Sequence, residues 1–273
     1  MHIALYVGQN PQRTALLAFA APIVAACAHR VTLITPVSGQ NDLDEVVNQL
    51  HIDTAIPVQH RCQETTFAAA ILSAVQTERP DLLIVPAFPP HFIRGRRLEF
   101  NLLAALPVSF LRVQGHVSAS PIRRIAVASA GGEQSLRCVP LVSQIARAFQ
   151  ASVTVLHVSS QEVVYFDGFV ASPLTEEVAL QLDELTGTML RRLVKELNTQ
   201  GVDCHLQVLN GLVEETLLSE AQHYDLLVIG SHEVSDVVPE PGDRWVRMLQ
   251  RLSLQDVTRD LLERSPIPVL VIR

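Results

Sequence analysis

The sequence predicts an α/β protein made of two tandem halves, each a five-stranded parallel sheet covered by helices. Three observations predict it. Short, near-continuous runs of Val, Ile and Leu alternate with longer stretches of helical spacing, the pattern of parallel strands buried on both faces. The plan also occurs twice. Setting Ile3 beside Ile125 sets Val31-Thr32-Leu33 beside Val153-Thr154-Val155, so one offset serves two strands and marks an internal repeat. Finally, Asp81-Leu82-Leu83-Ile84-Val85 matches Asp225-Leu226-Leu227-Val228-Ile229, and Pro107-Val108 matches Pro268-Val269.

The first half runs β-α-β-α-β-α-β-α-β. His2 to Val7 is an apolar strand closed by Gly8-Gln9-Asn10-Pro11, a turn signal. Thr14 to His29 is helical with Thr14 as N-cap. Arg30 to Val37 is β-branched and extended. Leu43, Val46, Val47 and Leu50 give Asp42 to His51 helical spacing. Ala55 to His60 is a third strand and Glu64 to Glu78 a helix rich in Ala and Leu. Leu82 to Val85 is a fourth strand, Leu98 to Leu106 a helix and Pro107 to Val113 a fifth strand. Gln114 to Pro121 is small, polar and ends in proline, as a linker does. The expected domains are therefore 1–114 and 122–273.

The second half restarts the cycle. Arg124 to Ser129 is its first strand, Ala130-Gly131-Gly132-Glu133 the turn and Ser135 to Phe149 the helix. Ser152 to Val158 follows, then an insert from Ser159 to Glu176 and a long helix from Val178 to Leu197. Cys204 to Leu209, Glu214 to Gln222, Asp225 to Gly230 and the closing run Pro268 to Ile272 complete the plan.

Composition sets the class. Of 273 residues, 48% are hydrophobic and 18% charged, so the chain can bury a sizeable core and is not disordered. Aromatics are only 5%, so that core is mostly Leu, Val, Ile and Ala. A net charge of -7 excludes a nucleic-acid partner held by bulk electrostatics and suits a cytoplasmic protein. The run Leu16 to Ala28 is too short to span a bilayer, and no membrane partner is expected. Val24-Ala25-Ala26-Cys27 has the form of a lipoprotein cleavage box, but Pro22 interrupts the run and only His2 and Arg13 precede it as basic residues. A buried first helix is the expectation. The four cysteines are scattered with no C-x-x-C pair, as buried free thiols would be.

In residues 122–273 the motifs resemble those of the universal stress protein family. Arg124-Ile125-Ala126-Val127-Ala128 with Gly131, Glu133 and Ser135 is similar to that family's opening strand and turn. Val155-Leu156-His157-Val158 is similar to its second strand, and Asp225 to His232 to its fourth strand and nucleotide loop. Leu261-Leu262 and Ser265 to Arg273 resemble its closing helix and strand. The first half matches mainly through the repeat, so the whole chain resembles a tandem member. The resemblance implies Rossmann-like domains of the adenine nucleotide alpha hydrolase-like kind, related by a pseudo-twofold axis. It also implies that the closing strands, Val108 to Leu111 and Val269 to Ile272, pair with each other.

Many members of this family bind ATP through a loop of form G-x2-G-x9-G-[ST], with an aspartate after the first strand. Only Gly131, Gly230 and Ser231 match here, and they are the expected contacts if ATP or AMP binds. Glu233 stands at the second glycine, Gln255-Asp256 at the closing pair, and Ala130 at the aspartate. An acidic side chain facing a phosphate repels it. The loop carries Glu233, Asp236, Glu240 and Asp243, and beyond them Trp245, which would either mark a contact surface or pack the loop onto its own domain. In the first half, Pro86-Ala87-Phe88-Pro89-Pro90 replaces the glycines. Arg94, Arg96 and Arg97 then fall at a helix start, where they would suit an anion or pair with the acidic loop 233–243.

None of the ten histidines stands in H-x3-H or H-E-x2-H spacing, so no metal site is expected. Ser129 and Ser135 lie outside any G-x-S-x-G elbow, and no acid–base pair stands out. The expectation is a non-enzymatic, cytoplasmic stress-response module without a resident cofactor. It would act through a protein partner or as a dimer, with ATP binding reduced or lost. The alternative is a member that binds ATP, ADP or AMP through the diverged loop. A third class is the related flavoprotein or adenine-hydrolase-like fold.

Overall fold

A computed structural model describes residues 1–8, 13–36, 43–63, 67–87, 106–114, 122–159, 184–230 and 257–273. The chain divides into two compact units: Met1–Pro121 with Pro266–Arg273, and Ile122–Ser265.

The first unit comprises β1 (His2–Tyr6), α1 (Arg13–Cys27), β2 (Arg30–Pro36), α2 (Leu43–Gln49), β3 (Val58–Gln63), α3 (Phe67–Glu78), β4 (Leu82–Pro86), β5 (Ser109–Val113) and, from the second segment, β10 (Val269–Ile272). Its strands lie in the order β3-β2-β1-β4-β5-β10. All are parallel except β10, which runs antiparallel to β5 with Leu270 opposite Leu111. The closing strands thus pair as the resemblance implied. Strands β3-β2-β1-β4-β5 are the five parallel strands expected of the first half, and β10, the closing strand of the second half, adds to them in this unit. Every residue of β10 is buried, and so is Phe110 at its side.

Local rules explain the element boundaries. The run Leu16 to Ala28 is the buried helix α1, with Leu16, Leu17, Phe19, Ile23 and Val24 inside. Strand β3 starts three residues later than expected because Asp53 closes a turn. Its side chain accepts from the Ala55 N–H at 2.9 Å, and its carbonyl accepts from the Ile56 N–H at 2.9 Å. At the edge of the sheet, Glu78 pairs with Arg30 at 2.7 Å and with Arg61.

The second unit comprises β6 (Arg124–Ala128), a 3-10 turn (Glu133–Cys138), α4 (Val139–Phe149), β7 (Ser152–Ser159), α5 (Glu184–Thr199), β8 (Cys204–Asn210), α6 (Val213–Ala221), β9 (Leu226–Gly230) and a helical segment over 257–264. Its strand order is β9-β6-β7-β8, all parallel. The helix expected from Ser135 begins as a 3-10 turn and becomes α-helical only at Val139. Pro140 is the cause: it lacks the N–H that would bond the Leu136 carbonyl, and its ring crowds that same group. Leu190, Leu193 and Leu197 of α5 and Val142, Ile145 and Ala146 of α4 close over the sheet.

The repeated Asp-Leu-Leu segment plays one role in both units. Asp81 Oδ2 accepts from the His2 N–H at 2.7 Å, fastening the entry of β4 to the start of β1. Asp225 Oδ2 accepts from the Arg123 and Arg124 N–H groups at 2.8 and 2.9 Å, fastening β9 to β6. The expected helix Leu98 to Leu106, the linker and the insert lie wholly or mostly outside the described residues.

Candidate functional site

In open parallel sheets, ligands bind beyond the carboxyl ends of the strands where strand order reverses. In the second unit that place is β6, which has β7 on one side and β9 on the other. A cavity of about 580 Å³ lies there, well within the range of small-molecule sites. Ala128, Ser129 and Ala130 follow from β6, Leu156 to Val158 belong to β7, and Ile229 and Gly230 end β9. The start of α6 brings Leu212 to Glu215 and Leu217, and the helical segment brings Val257, Thr258 and Leu261.

The turn after β6 is held from within. Ser129 is buried, and its Oγ shares a 2.8 Å hydrogen bond with Ser135 Oγ. The same Oγ accepts from the Gly131 N–H at 3.1 Å. Gly131 has φ +80°, and a Cβ there would lie 2.4 Å from Thr186 Cγ2. Glycine is therefore needed at this position for both backbone and space. The His157 ring reaches the turn from β7, where Nδ1 donates to the Ser129 carbonyl at 2.9 Å. A carbonyl only accepts, so Nδ1 carries the proton.

The start of α6 is acidic. Leu212 is its N-cap and makes no side-chain cap bond, and Glu214 and Glu215 occupy its first turn. A helix N-terminus carries about half a positive charge, which two carboxylates outweigh. Among the described lining residues there is no lysine or arginine.

Of the expected contacts, Gly230 lines this cavity. It has no positive φ, and among the described residues nothing lies within 4 Å of a Cβ built on it. Gly131 adjoins the lining residue Ala130, but its N–H is taken by Ser129. Ser231, Arg94, Arg96, Arg97, the acidic loop 233–243, Trp245 and the pair Gln255-Asp256 lie outside the described residues. His157, Glu214, Glu215 and Thr258 were not singled out from sequence; their signal is position just past a strand end or at a helix start. Among the described residues, no three His, Cys, Asp or Glu side chains gather as a metal site, and no helix is long and apolar enough to cross a membrane.

The model of the universal stress protein family matches residues 121–273, the stretch that carries this cavity. The chain belongs to the universal stress protein family. The structure is similar to a universal stress protein from Archaeoglobus fulgidus DSM 4304, at 13% identity and a TM-score of 0.65, covering 99% of this chain and 96% of that one. It is similar to a Pseudomonas aeruginosa UCBPP-PA14 protein described as of universal stress type, at 16% identity and a TM-score of 0.67, covering 99% and 92%. The cytoplasmic domain of a prokaryotic cation chloride cotransporter has the same fold, at 11% identity and a TM-score of 0.56, covering 99% and 94%. No curated protein matches the sequence. At these identities the likeness is one of fold. For this universal stress family member, any ligand must be argued from its own cavity.

Proposed function

We propose that this chain is a non-enzymatic, cytoplasmic stress-response module that works by binding, with ATP binding of the family's kind reduced or lost. The observation that carries the reading is the acidic start of α6 in the cavity wall, where Glu214 and Glu215 face a lining without lysine or arginine among the described residues. A triphosphate placed there would meet like charge. Ala130 stands where the resemblance calls for an aspartate, and the Gly131 N–H is already bonded. Among the described lining residues no nucleophile is paired with a base, because His157 Nδ1 bonds a backbone carbonyl rather than a serine hydroxyl. The protein would then act through a partner protein or by self-association.

The second reading is a member that binds ATP, ADP or AMP through the diverged loop. Gly230 in the cavity wall and the retained turn at Gly131 favour it. Calorimetry with ATP, ADP and AMP separates the two, alongside an assay for phosphate release. The first reading expects neither micromolar ATP binding nor hydrolysis. Micromolar ATP binding abolished by Ala130→Trp, which adds bulk to the cavity wall, would establish the second.

A further inference from the structure

Strand β8 ends the strand order of the second unit and has β7 on one side only. Which of its backbone groups face β7 is fixed at both ends of the ladder. The Val153 N–H donates to the Asp203 carbonyl at 2.8 Å, and the Gly211 N–H donates to the Ser159 carbonyl at 3.3 Å. Parallel pairing alternates along a strand, and the register runs unbroken from Cys204 to Asn210. The odd-numbered residues therefore bond β7, and Cys204, Leu206, Val208 and Asn210 turn their N–H and C=O groups outward. Cys204 shows this directly. Its N–H donates to Asn198 Oδ1 at 3.1 Å, and its carbonyl accepts from Asn198 Nδ2 at 3.0 Å. Leu206, Val208 and Asn210 have no such cover among the described residues.

Folded proteins guard an edge of this kind with charge, proline or a bulge. Strand β8 reads Cys-His-Leu-Gln-Val-Leu-Asn, with no proline, carboxylate, lysine or arginine. Strand β3, the edge of the first unit, carries Arg61 instead. Val208 is the midpoint of the three uncovered residues. An antiparallel copy of β8 centred there sets Val208 against Val208 and Leu206 against Asn210, so each free N–H meets a free carbonyl. Gln207 then stands against Leu209 on the other face, and no like charges oppose. Leu206 and Val208 are only half-buried, so the pairing covers apolar surface as well. A foreign peptide draws its specificity from pockets for alternate side chains, and the cavity of this unit takes no residue from β8.

We infer that β8 is a self-association surface, on which a second copy of this chain adds its own β8 antiparallel about Val208. The inference rests on the binding-module reading above and assigns its self-association to one strand. Sedimentation equilibrium on the full chain is expected to show a dimer. Val208→Pro removes an N–H that β7 does not use, so the ladder to β7 survives, and the dimer dissociation constant should rise about tenfold or more. Val208→Lys and Val208→Glu each place like charges on the two-fold axis and should be monomeric, whereas an equal mixture of the two should dimerise. Such rescue requires that residue 208 face its own copy. Circular dichroism checks the fold of every variant, and the charge pair decides the matter if Val208→Pro does not fold. A parent chain that stays monomeric at about 100 µM overturns the inference and leaves a partner protein as the route of the binding module. A dimer that persists in folded Val208→Pro overturns it too, as does a Lys and Glu mixture that remains monomeric. Micromolar ATP binding by an intact β8 dimer overturns the binding-module reading but not this surface.

Discussion

Thr186 Cγ2 occupies the space in which a Cβ on Gly131 would sit, at a separation of 2.4 Å. The contact joins the turn after β6 to the first turns of α5, and that turn supplies Ser129 and Ala130 to the cavity wall. Gly131→Ala meets two penalties, the left-handed φ of +80° and the overlap with the threonine methyl. Together they are expected to destabilise the protein by about 2–4 kcal/mol. Thr186→Ser removes the obstructing methyl but keeps the hydroxyl, so Gly131→Ala/Thr186→Ser should recover the steric share. Urea unfolding of the three variants measures it; equal losses in both backgrounds would refute the overlap.

Acid should weaken the first unit. His2 is held below the usual 6.5 by burial, with Arg30 adding to the effect, and its Nε2 shares a 2.9 Å hydrogen bond with Thr32. Burial also lowers His60, which bonds Thr35 at 2.6 Å. Glu78 is lowered in turn by its hydrogen bond from Arg61, with the charges of Arg61 and Arg30 adding to it. All three groups have folded values below their unfolded ones. The stability they contribute is therefore present above the unfolded values, near 6.5 for the histidines and 4.5 for the carboxyl. It is lost as pH falls through the folded ones. Urea midpoints should drop between pH 7.5 and pH 5, and the drop should shrink in His2→Gln/His60→Gln. A pH profile unchanged by those substitutions would remove the histidines from the account.

The strands were legible because parallel strands buried on both faces leave unbroken apolar runs, as in Leu82–Pro86 and Leu226–Gly230. The repeat was legible too, and Asp81 and Asp225 show why their shared position matters: each ties the fourth strand of its unit to the first. Periodicity could not show that Pro140 splits the helix expected from Ser135, since proline's effect falls on the carbonyl of Leu136 four residues back. Nor could an apolar run reveal its own partner. The pairing of Val269–Ile272 with Ser109–Val113 was anticipated only through the family resemblance. At the site, the glycine pattern pointed to Gly230, which lines the cavity. His157 lies inside an apolar strand and Glu214 in an ordinary acidic first turn, so neither carries a local mark of function. Their meaning comes from the strand order that brings them to one crevice.

Strand β10 should contribute heavily to the first unit. Leu270 is fully buried opposite Leu111. Leu270→Ala removes three carbons and leaves a cavity in a packed sheet, at a cost of about 2–5 kcal/mol. Hydrogen exchange locates the effect. Amides of β5, among them Phe110 and Arg112, should lose protection before those of β7, because β10 bonds directly to β5. Uniform loss across both strands would mean that the substitution acts globally rather than through this pairing.

Thiol chemistry gives an independent check on the core. Cys138 and Cys204 are buried, and desolvation pushes both thiols up to about 12. The charge of each thiolate's neighbour, Cys204 for the first and Asp203 for the second, adds to the effect. Cys27 is buried in α1 and is raised by the same cause. Cys62 on β3 is only half-buried. The thiolate is the reacting species, so at pH 8 a disulfide reagent should modify Cys62 first in the native protein. The other three should react only after denaturant opens the fold, with rates that follow unfolding. Peptide mapping by mass spectrometry distinguishes the four sites. Rapid native labelling of Cys138 or Cys204 would show that α4 and β8 do not seal the sheet as described.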